Sequence, residues 1–545
     1  MQTPSTPLSR RTAILAVLAV AVLVYLNTLG HELVYDDKVI VQTPGMHDPW
    51  KLAALFGSDF YGGTHAHVDL YRPLTAFSFA LNWWANGVFG AAGESPFLFH
   101  LTNVLLHAAA SALVFVFAER LALSRWAALA AALLFAVHPL HTEPVANVYA
   151  RSELLAAAFG LAFLCLARGG RPVLGALCLF VAVSSKESAV VFLPVALLLD
   201  AWMPAGGPRL RGMTLVLGAL ALGAWATLRA AALAGHDHAH DEEVPFVENP
   251  LVALDAGGRI ASALKVQLAY LRLLVLPTTL SSDYSFDQVA VAQSFADPHV
   301  LGLIAIAVVG IAAAFLTRRT RPVIGFCVLA YAITWAATAN VLFPIGTIQG
   351  ERLAYAPSIL ACVLGAVLLD MLRERAGTNV FLAATGVLVV LGSVRTIVRN
   401  PTWKDEPTLF REQTISAPRS AKAHVNLGML LSKEKDHAGA LAAFERAAEI
   451  YPGHAQAQFR LGNELYFLGT DLARAEAAYR KAIEADPKFI DPRINRCYVL
   501  LRLGRVDAAR AAIEETRRLA PRHRAFADLD AQLRAAQQKP APSGG

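Results

Sequence analysis

The sequence predicts an all-α protein, with a polytopic helical membrane domain followed by a C-terminal array of helical repeats. Three observations predict it. The 545 residues are 55% hydrophobic and only 17% charged, with a mean hydropathy of +0.45, whereas soluble globular chains are about 25% charged. Apolar runs of span length recur from about residue 12 to about residue 395. After that the chain turns polar and rich in Ala, Glu and Arg, with prolines at Pro418, Pro452, Pro487 and Pro521.

The apolar runs give eleven spans, near 12–28, 98–118, 125–138, 153–168, 172–184, 189–203, 213–233, 299–317, 322–343, 356–372 and 379–395. Arg10 and Arg11 precede the first without a cleavage pattern. This marks an uncleaved signal anchor with the N-terminus inside, not a twin-arginine export signal. The inner loops are then "ERLALSRW", "ARGGRP", "GGPRLRG", "TRRTRP" and "RERAGTN". Each carries at least two arginines, as the positive-inside rule requires. Only Arg395, Arg399 and Lys404 run against it. The run 264–277, "LKVQLAYLRLLVLP", would turn "TRRTRP" outward if it crossed. It reads instead as an interfacial or re-entrant helix whose Lys265 and Arg272 snorkel.

The repeats have spacings of 34, 35 and 34 residues between those prolines. The first unit places "NLG" (426–428) ahead of Ala440, Phe444 and Ala447; the second places "RLG" (460–462) ahead of Ala475, Tyr479 and Ala482. This small/large alternation is that of a tetratricopeptide helix pair. In the third unit Cys497 takes the glycine position, as in a degenerate capping repeat. The expected division is 1–398 membrane domain, 399–418 linker, 419–521 about three repeats, and 522–545 a cap and disordered tail. Such an array serves either as a rigid spacer or as a groove for an extended peptide.

The net charge of +6 is mild, and no basic patch with interleaved aromatics argues for nucleic acid. Four of five cysteines lie in apolar runs, which implies no disulfide framework. No nucleophile elbow or Walker loop appears.

The unusual polar residues fall on the outer side. They occupy the loops around Asp36–Asp37, "HPLHTEPVANVYARSE" (138–153), "SSKES" (184–188), "LSSDYS" (280–285) and "LFPIGTIQGERLAY" (342–355). Ionisable groups at membrane depth are costly unless they have partners or a task. One outer carboxylate with Arg and Lys beside it suits glycosyl transfer from a lipid-linked sugar. The acceptor hydroxyl needs a general base, and the phosphate leaving group needs cations. Asp36 or Asp37 supplies the first; Arg151, Lys186 and Arg352 supply the second. Adjacent like charges raise the pKa of one member; alternatively the second aspartate binds acceptor or caps a helix. His138, His141 and Glu143 match no strong metal template and suit hydrogen bonds to a phosphate or sugar. "GHDHAHDEE" (235–243) reads as an incidental exposed loop. No cofactor is expected, and a divalent cation is not indicated.

In order, "VYDD", "YRPLTAFSFALNWWANG", "FHLTNVLLHAAASAL", "FAVHPLHTEPVANVYARSELLAA", "SKES", "LSSDYSFDQV", "FPIGTIQGERLAYAPS" and "RNPTWKDEPTLF" resemble the transmembrane and tetratricopeptide-repeat O-mannosyltransferases. The resemblance covers about residues 25 to 521. It implies a C-superfamily glycosyltransferase (GT-C) fold, a dolichyl-phosphate-mannose donor in the membrane lipid (in a bacterium, another polyprenyl-phosphate-linked sugar), protein Ser/Thr acceptors and inversion. It also implies Asp36 as base, with Arg151 and Arg352 facing the donor phosphate. Glu351, His138, His141 and Glu153 lie in matching blocks. The short repeat array and the Ala/Arg/Leu-rich composition suggest a bacterial member in the inner membrane, with site and repeats on the periplasmic face and the groove holding the acceptor peptide. A glycan or lipid acceptor, or a non-catalytic scaffold for envelope assembly, is the alternative.

Overall fold

The computed structural model describes residues 9–61, 70–203, 208–234 and 244–538; among them there are helices and loops but no strand. "GHDHAHDEE" and the last seven residues lie outside the described residues. The chain forms two compact units. One is drawn from Met1–Pro245, Leu251–Ser282 and Val291–Leu409, the other from Phe246–Pro250, Asp283–Ala290 and Phe410–Gly545.

The principal helices of the first unit are α1 (Arg10–Val24), α2 (Pro73–Val88), α3 (Pro96–Arg120), α4 (Arg125–Ala136), α5 (Arg151–Arg168), α6 (Pro172–Ser185), α7 (Phe192–Trp202), α8 (Pro208–Leu233), α9 (Ala256–Val275), α10 (Pro298–Leu316), α11 (Pro322–Ala336), α12 (Tyr355–Ala376) and α13 (Thr378–Arg399). Proline opens α2, α3, α6, α10 and α11, where its missing N–H costs no helical hydrogen bond. Ser9 and Ser124 cap α1 and α4, each accepting a backbone N–H three residues on. Alanines are buried where α1 and α4 pack. Ala13, Val17 and Ala21 of α1 and Ala128, Ala131 and Ala132 of α4 are buried in a core that also holds Phe115, Phe135 and Phe163. Small side chains let helix backbones approach closely in a membrane.

Among the described residues, seven helices are long and apolar enough to cross a membrane, or eight if the pair Arg125–Ala136 and Pro139–Ala146, bent by 47°, is one span. The chain is thus a multi-pass membrane protein. Three spans read from the sequence are represented by α6, α7 and α11, of 14, 11 and 15 residues, shorter than the ~20 that a bilayer core needs.

Polar contacts gather at opposite ends of α3. At its C-terminal end Arg10 meets Glu119 at 2.7 Å, Arg168 donates to the carbonyls of Arg120 and Met203, and Arg373 meets Asp370 at 2.6 Å. This collects arginines from the N-terminus and three of the loops that the charge rule assigns to one side. The loops of the acidic pair, of 138–153 and of 342–355 meet at the other end.

Two helices lie across that other end. In α9, Ser262 bonds Ala292, Lys265 meets Asp297 at 3.0 Å, Tyr270 donates to Gly350 O, and Leu274 O bonds His138. This helix contains the run 264–277 almost entirely. Just before α2, Arg72 meets Glu187, while Asn86 near the helix C-terminus donates to the carbonyls of Gly93 and Ser95 just before α3.

The second unit stacks helix pairs: α14 (Ala421–Lys433), α15 (His437–Ile450), α16 (Ala455–Leu468), α17 (Leu472–Ala485), α18 (Ile490–Arg502), α19 (Val506–Leu519) and the closing α20 (Phe526–Gln538). Its joints explain the sequence alternation. A Cβ on Gly428 would stand 2.5 Å from the Phe444 ring, and one on Gly462 would stand 2.6 Å from Tyr479. Two short segments from earlier in the chain complete this unit. Phe246 and Phe286 pack on Tyr451, Glu248 meets Lys422 at 2.7 Å, and Ser285 bonds Ser420 beside Asp283. The polar run 280–285 therefore divides, with Ser281 in the membrane unit and Asp283 and Ser285 in the repeat unit.

Alanine normally improves a helix by up to ~1 kcal/mol over glycine, whereas overpacking costs ~1–3 kcal/mol. Gly462→Ala should therefore lower the thermal midpoint of the repeat unit, followed by far-UV dichroism, with a net loss of about 1 kcal/mol.

Candidate active site

The acidic pair divides its work by burial. Asp37 is fully buried. One oxygen of its carboxylate accepts the backbone N–H of Val34 at 3.1 Å, and the other accepts that of Tyr149 at 2.6 Å. The first bond closes a tight turn of three residues, Tyr35–Asp37. The second fastens that turn to the segment leading into α5. Tyr35, within the turn, has φ of +51°, a left-handed conformation that costs a non-glycine residue about 1–3 kcal/mol and persists only where its surroundings enforce it. Asp36 stands between these two residues and is half-exposed. Among the described residues its carboxylate has no hydrogen-bond or ion-pair partner.

Burial pushes the Asp37 carboxyl up to about 7, with Asp36 adding to the rise and the two N–H bonds opposing it. This is the member of the pair whose proton affinity the fold raises.

Cation–carboxylate pairs stand around Asp36. Arg352 donates both its backbone N–H, at 2.9 Å, and its Nη1, at 2.7 Å, to Glu143. Its side chain keeps 31% exposure and lies in the field of Asp36 and Glu153. Lys186, nearly buried, pairs with Glu153 in the first turn of α5. Burial holds its ammonium below the usual lysine range, against the pull of Glu153. Arg72 reaches Glu187 through Nε and Nη2 at 3.0–3.3 Å. The Tyr61 and Tyr149 hydroxyls, 2.8 Å apart, lie in the fields of both Arg72 and Asp36.

The remaining sequence candidates are held within the protein. Arg151 is fully buried: it donates to Asn103 Oδ1 at 2.7 Å, to Phe99 O at 2.8 Å and to Ser78 O and Oγ, and it stands 4.6 Å over the Phe79 ring. It ties α2, α3 and α5 together. His141 is buried with both ring nitrogens engaged, by Phe135 O and Ser358 Oγ at 2.8 Å each. His138 bonds Leu274 O through Nε2 and the Leu140 N–H through Nδ1. Glu351 accepts the Ser281 N–H at 2.6 Å. Among the described residues no group of three His, Cys, Asp or Glu stands together as metal ligands would.

Arg72 was not singled out by sequence reasoning. Its signal was the "YRP" that opens α2, an arginine held next to a helix start in the loop of the acidic pair. Glu143 and Glu187 were missed as partners of the cations because no local spacing relates them.

Comparison with known proteins bears out the resemblance and the repeats. Tetratricopeptide repeats match over residues 421–454 and 466–533. The chain is 27% identical to a protein O-mannosyl-transferase of Caenorhabditis elegans, F38B6.6, over 81% of this chain and 63% of the relative. It is 26% identical to mouse protein O-mannosyl-transferase TMTC3, over 87% of this chain and 55% of that protein. It thus spans little more than half the length of the curated relatives it matches. Among solved structures, the archaeal oligosaccharyltransferase AglB of Archaeoglobus fulgidus, in complex with an inhibitory peptide and a dolichol-phosphate, aligns over 75% of this chain and 59% of its own. The identity is 13% and the TM-score 0.38, a likeness too slight to carry an argument.

Two measurements test the division of the acidic pair. Asp37→Asn leaves one acceptor oxygen for two buried N–H groups and should destabilise the membrane unit by about 1–3 kcal/mol. Asp36→Asn should stay within ~0.5 kcal/mol of the parent, both read by thermal unfolding in detergent. The pH dependence follows from the raised carboxyl. With a folded value near 7 against the usual 3.8, the native state holds more proton than the unfolded chain between those limits. The Asp37 contribution is therefore full below about pH 4 and lost as pH rises through 7. Asp37→Asn should flatten that slope.

Proposed function

We propose that the protein transfers a sugar, mannose by analogy with its relatives, from a polyprenyl-phosphate carrier to a Ser or Thr hydroxyl of a protein on the outer, periplasmic side of the membrane. The observation that carries this reading is the half-exposed Asp36 carboxylate, without a partner among the described residues and held by its buried neighbour within the field of Arg352. The names of the relatives give the class of reaction.

In this reading Asp36 accepts the proton of the acceptor hydroxyl as its oxygen attacks the anomeric carbon. The bond from that carbon to the phosphate oxygen breaks, and the polyprenyl phosphate leaves. A single displacement inverts the configuration. Arg352 and Lys186 turn toward the developing phosphate charge, which stabilises it most in a site that excludes water. Glu143 and Glu153 hold these cations until donor arrives. Arg151, Asp37, His138, His141 and Glu351 are positioning residues that fix the loops. The membrane domain of 1–398 carries the chemistry, and the repeats of 419–521, beyond the linker 399–418, orient the acceptor polypeptide.

General-base removal costs ~10²–10⁴ in rate, so Asp36→Asn should lose at least about a hundredfold of transfer from a radiolabelled polyprenyl-phosphate sugar. Products are to be separated into protein, lipid and free sugar. Arg352→Gln should lose ~10²-fold or more through weaker leaving-group stabilisation. Equal labelling of protein by the parent and Asp36→Asn would take Asp36 out of this role; label in lipid alone would move the acceptor.

A further inference from the structure

At the end of the membrane unit away from the candidate site, three arginines gather beside one carboxylate. Asp200, in the last turn of α7, is the only acid between Glu187 and Asp237. It lies in the fields of Arg211 from α8 and Arg168 from the end of α5. Arg168 is spent within the protein, its Nε and Nη1 donating to the carbonyls of Arg120 and Met203 at 2.8 Å each. Arg211 is not: its Nε is buried without a hydrogen-bond partner among the described residues.

Two residues beyond Asp200, Trp202 holds the third cation. A Cβ on Gly325 of α11 would stand 2.6 Å from its indole, and Phe315 of α10 meets the ring edge-on at 5.6 Å, so two helices fix the ring. Arg318 lies 4.6 Å over its face. A guanidinium stacked on an aromatic face still carries its donors around the rim. Among the described residues those of the exposed Arg318 meet no acceptor. Arg321, three residues on, is by contrast paired with Glu374. No acid occurs in the sequence from Pro298 to Gly350. Three guanidinium charges against the one carboxylate of Asp200 leave an excess of two.

The surface next to this charge is apolar. Phe315 and Leu316 at the end of α10 are 59% and 84% exposed, and Met213 and Val216 near the start of α8 are 42% and 61% exposed. Both helices are long and apolar enough to cross a membrane. Cations at the ends of such helices, with bare apolar side chains following along them, match a molecule that has an anionic head and hydrocarbon tails. We infer that Arg211 and Arg318 form a site for the phosphate of an anionic phospholipid, in the leaflet that the charge rule assigns to the inside. Basic pockets between spans on that side take anionic headgroups. The excess charge sets the preference, because a zwitterionic lipid brings its own ammonium to its phosphate and an anionic one does not. This inference does not rest on the reaction proposed above.

The test offers the full-length protein in detergent equimolar phosphatidylglycerol and phosphatidylcholine with the same acyl chains, and counts bound lipid by native mass spectrometry. The parent should retain phosphatidylglycerol over phosphatidylcholine by about fivefold or more, and Arg211→Gln and Arg318→Gln should each lower that ratio about fivefold, the worth of one cation near an anionic headgroup. Arg375→Gln, at an exposed position in the last turn of α12, removes the same charge at the same end and should leave the ratio within about twofold. An even ratio in the parent would overturn the inference. So would a loss in Arg375→Gln that matches the site variants, since the attraction would then be diffuse. Release of phosphatidylglycerol by millimolar inorganic phosphate would make free phosphate the ligand and overturn it as well. Arg318→Gln, on the exposed side, decides if Arg211→Gln does not fold.

Discussion

The arrangement of the site depends on the two hydrogen bonds accepted by the buried Asp37 carboxylate. One closes the turn on Val34; the other anchors it to Tyr149, two residues before the start of α5. Between them they hold Tyr35 in its left-handed conformation and leave Asp36 half-exposed. A buried carboxylate is costly unless its lone pairs are satisfied, and here both oxygens are. The pair at the mouth of the first span is therefore one buried structural acid and one half-exposed acid that has no hydrogen-bond or ion-pair partner among the described residues.

The cations follow a related logic. Arg352, Lys186 and Arg72 each rest on a glutamate that reaches them across the sequence. Pairing keeps their charge at low dielectric without a bound anion. It also sets the geometry, since Glu143 binds both backbone and side chain of Arg352. Behind this layer Arg151 joins three helices through carbonyl and amide oxygens, so the buried anchor is built on helix ends, while Asp36, Lys186 and Arg352 lie in the connecting segments.

Much of this was legible in the sequence. Composition and apolar run length gave the membrane domain, and the regular prolines with their glycine/aromatic alternation gave the repeats, because both are periodic signals that local chemistry imposes. The clustering of Asp36, Lys186 and Arg352 followed from charge counting, which sorts loops to one end. What the sequence could not rank was burial. Arg151 and His141 have the residue types of phosphate ligands, yet their donors and acceptors meet backbone carbonyls and Ser358. Whether a polar group faces a cavity or a carbonyl is settled by tertiary packing. The lateral run of α2 was equally hidden, since an uncharged helix of that length carries no mark of its direction.

The most direct test of the account separates binding from proton transfer at Asp36. Donor affinity of Asp36→Asn is measured with a labelled polyprenyl-phosphate sugar in the purified protein, beside its rate of transfer to protein. The account predicts donor binding within a few-fold of the parent and transfer reduced by about a hundredfold or more. Loss of binding as large as the loss of transfer would contradict it, and would make Asp36 a donor-holding group instead of the base.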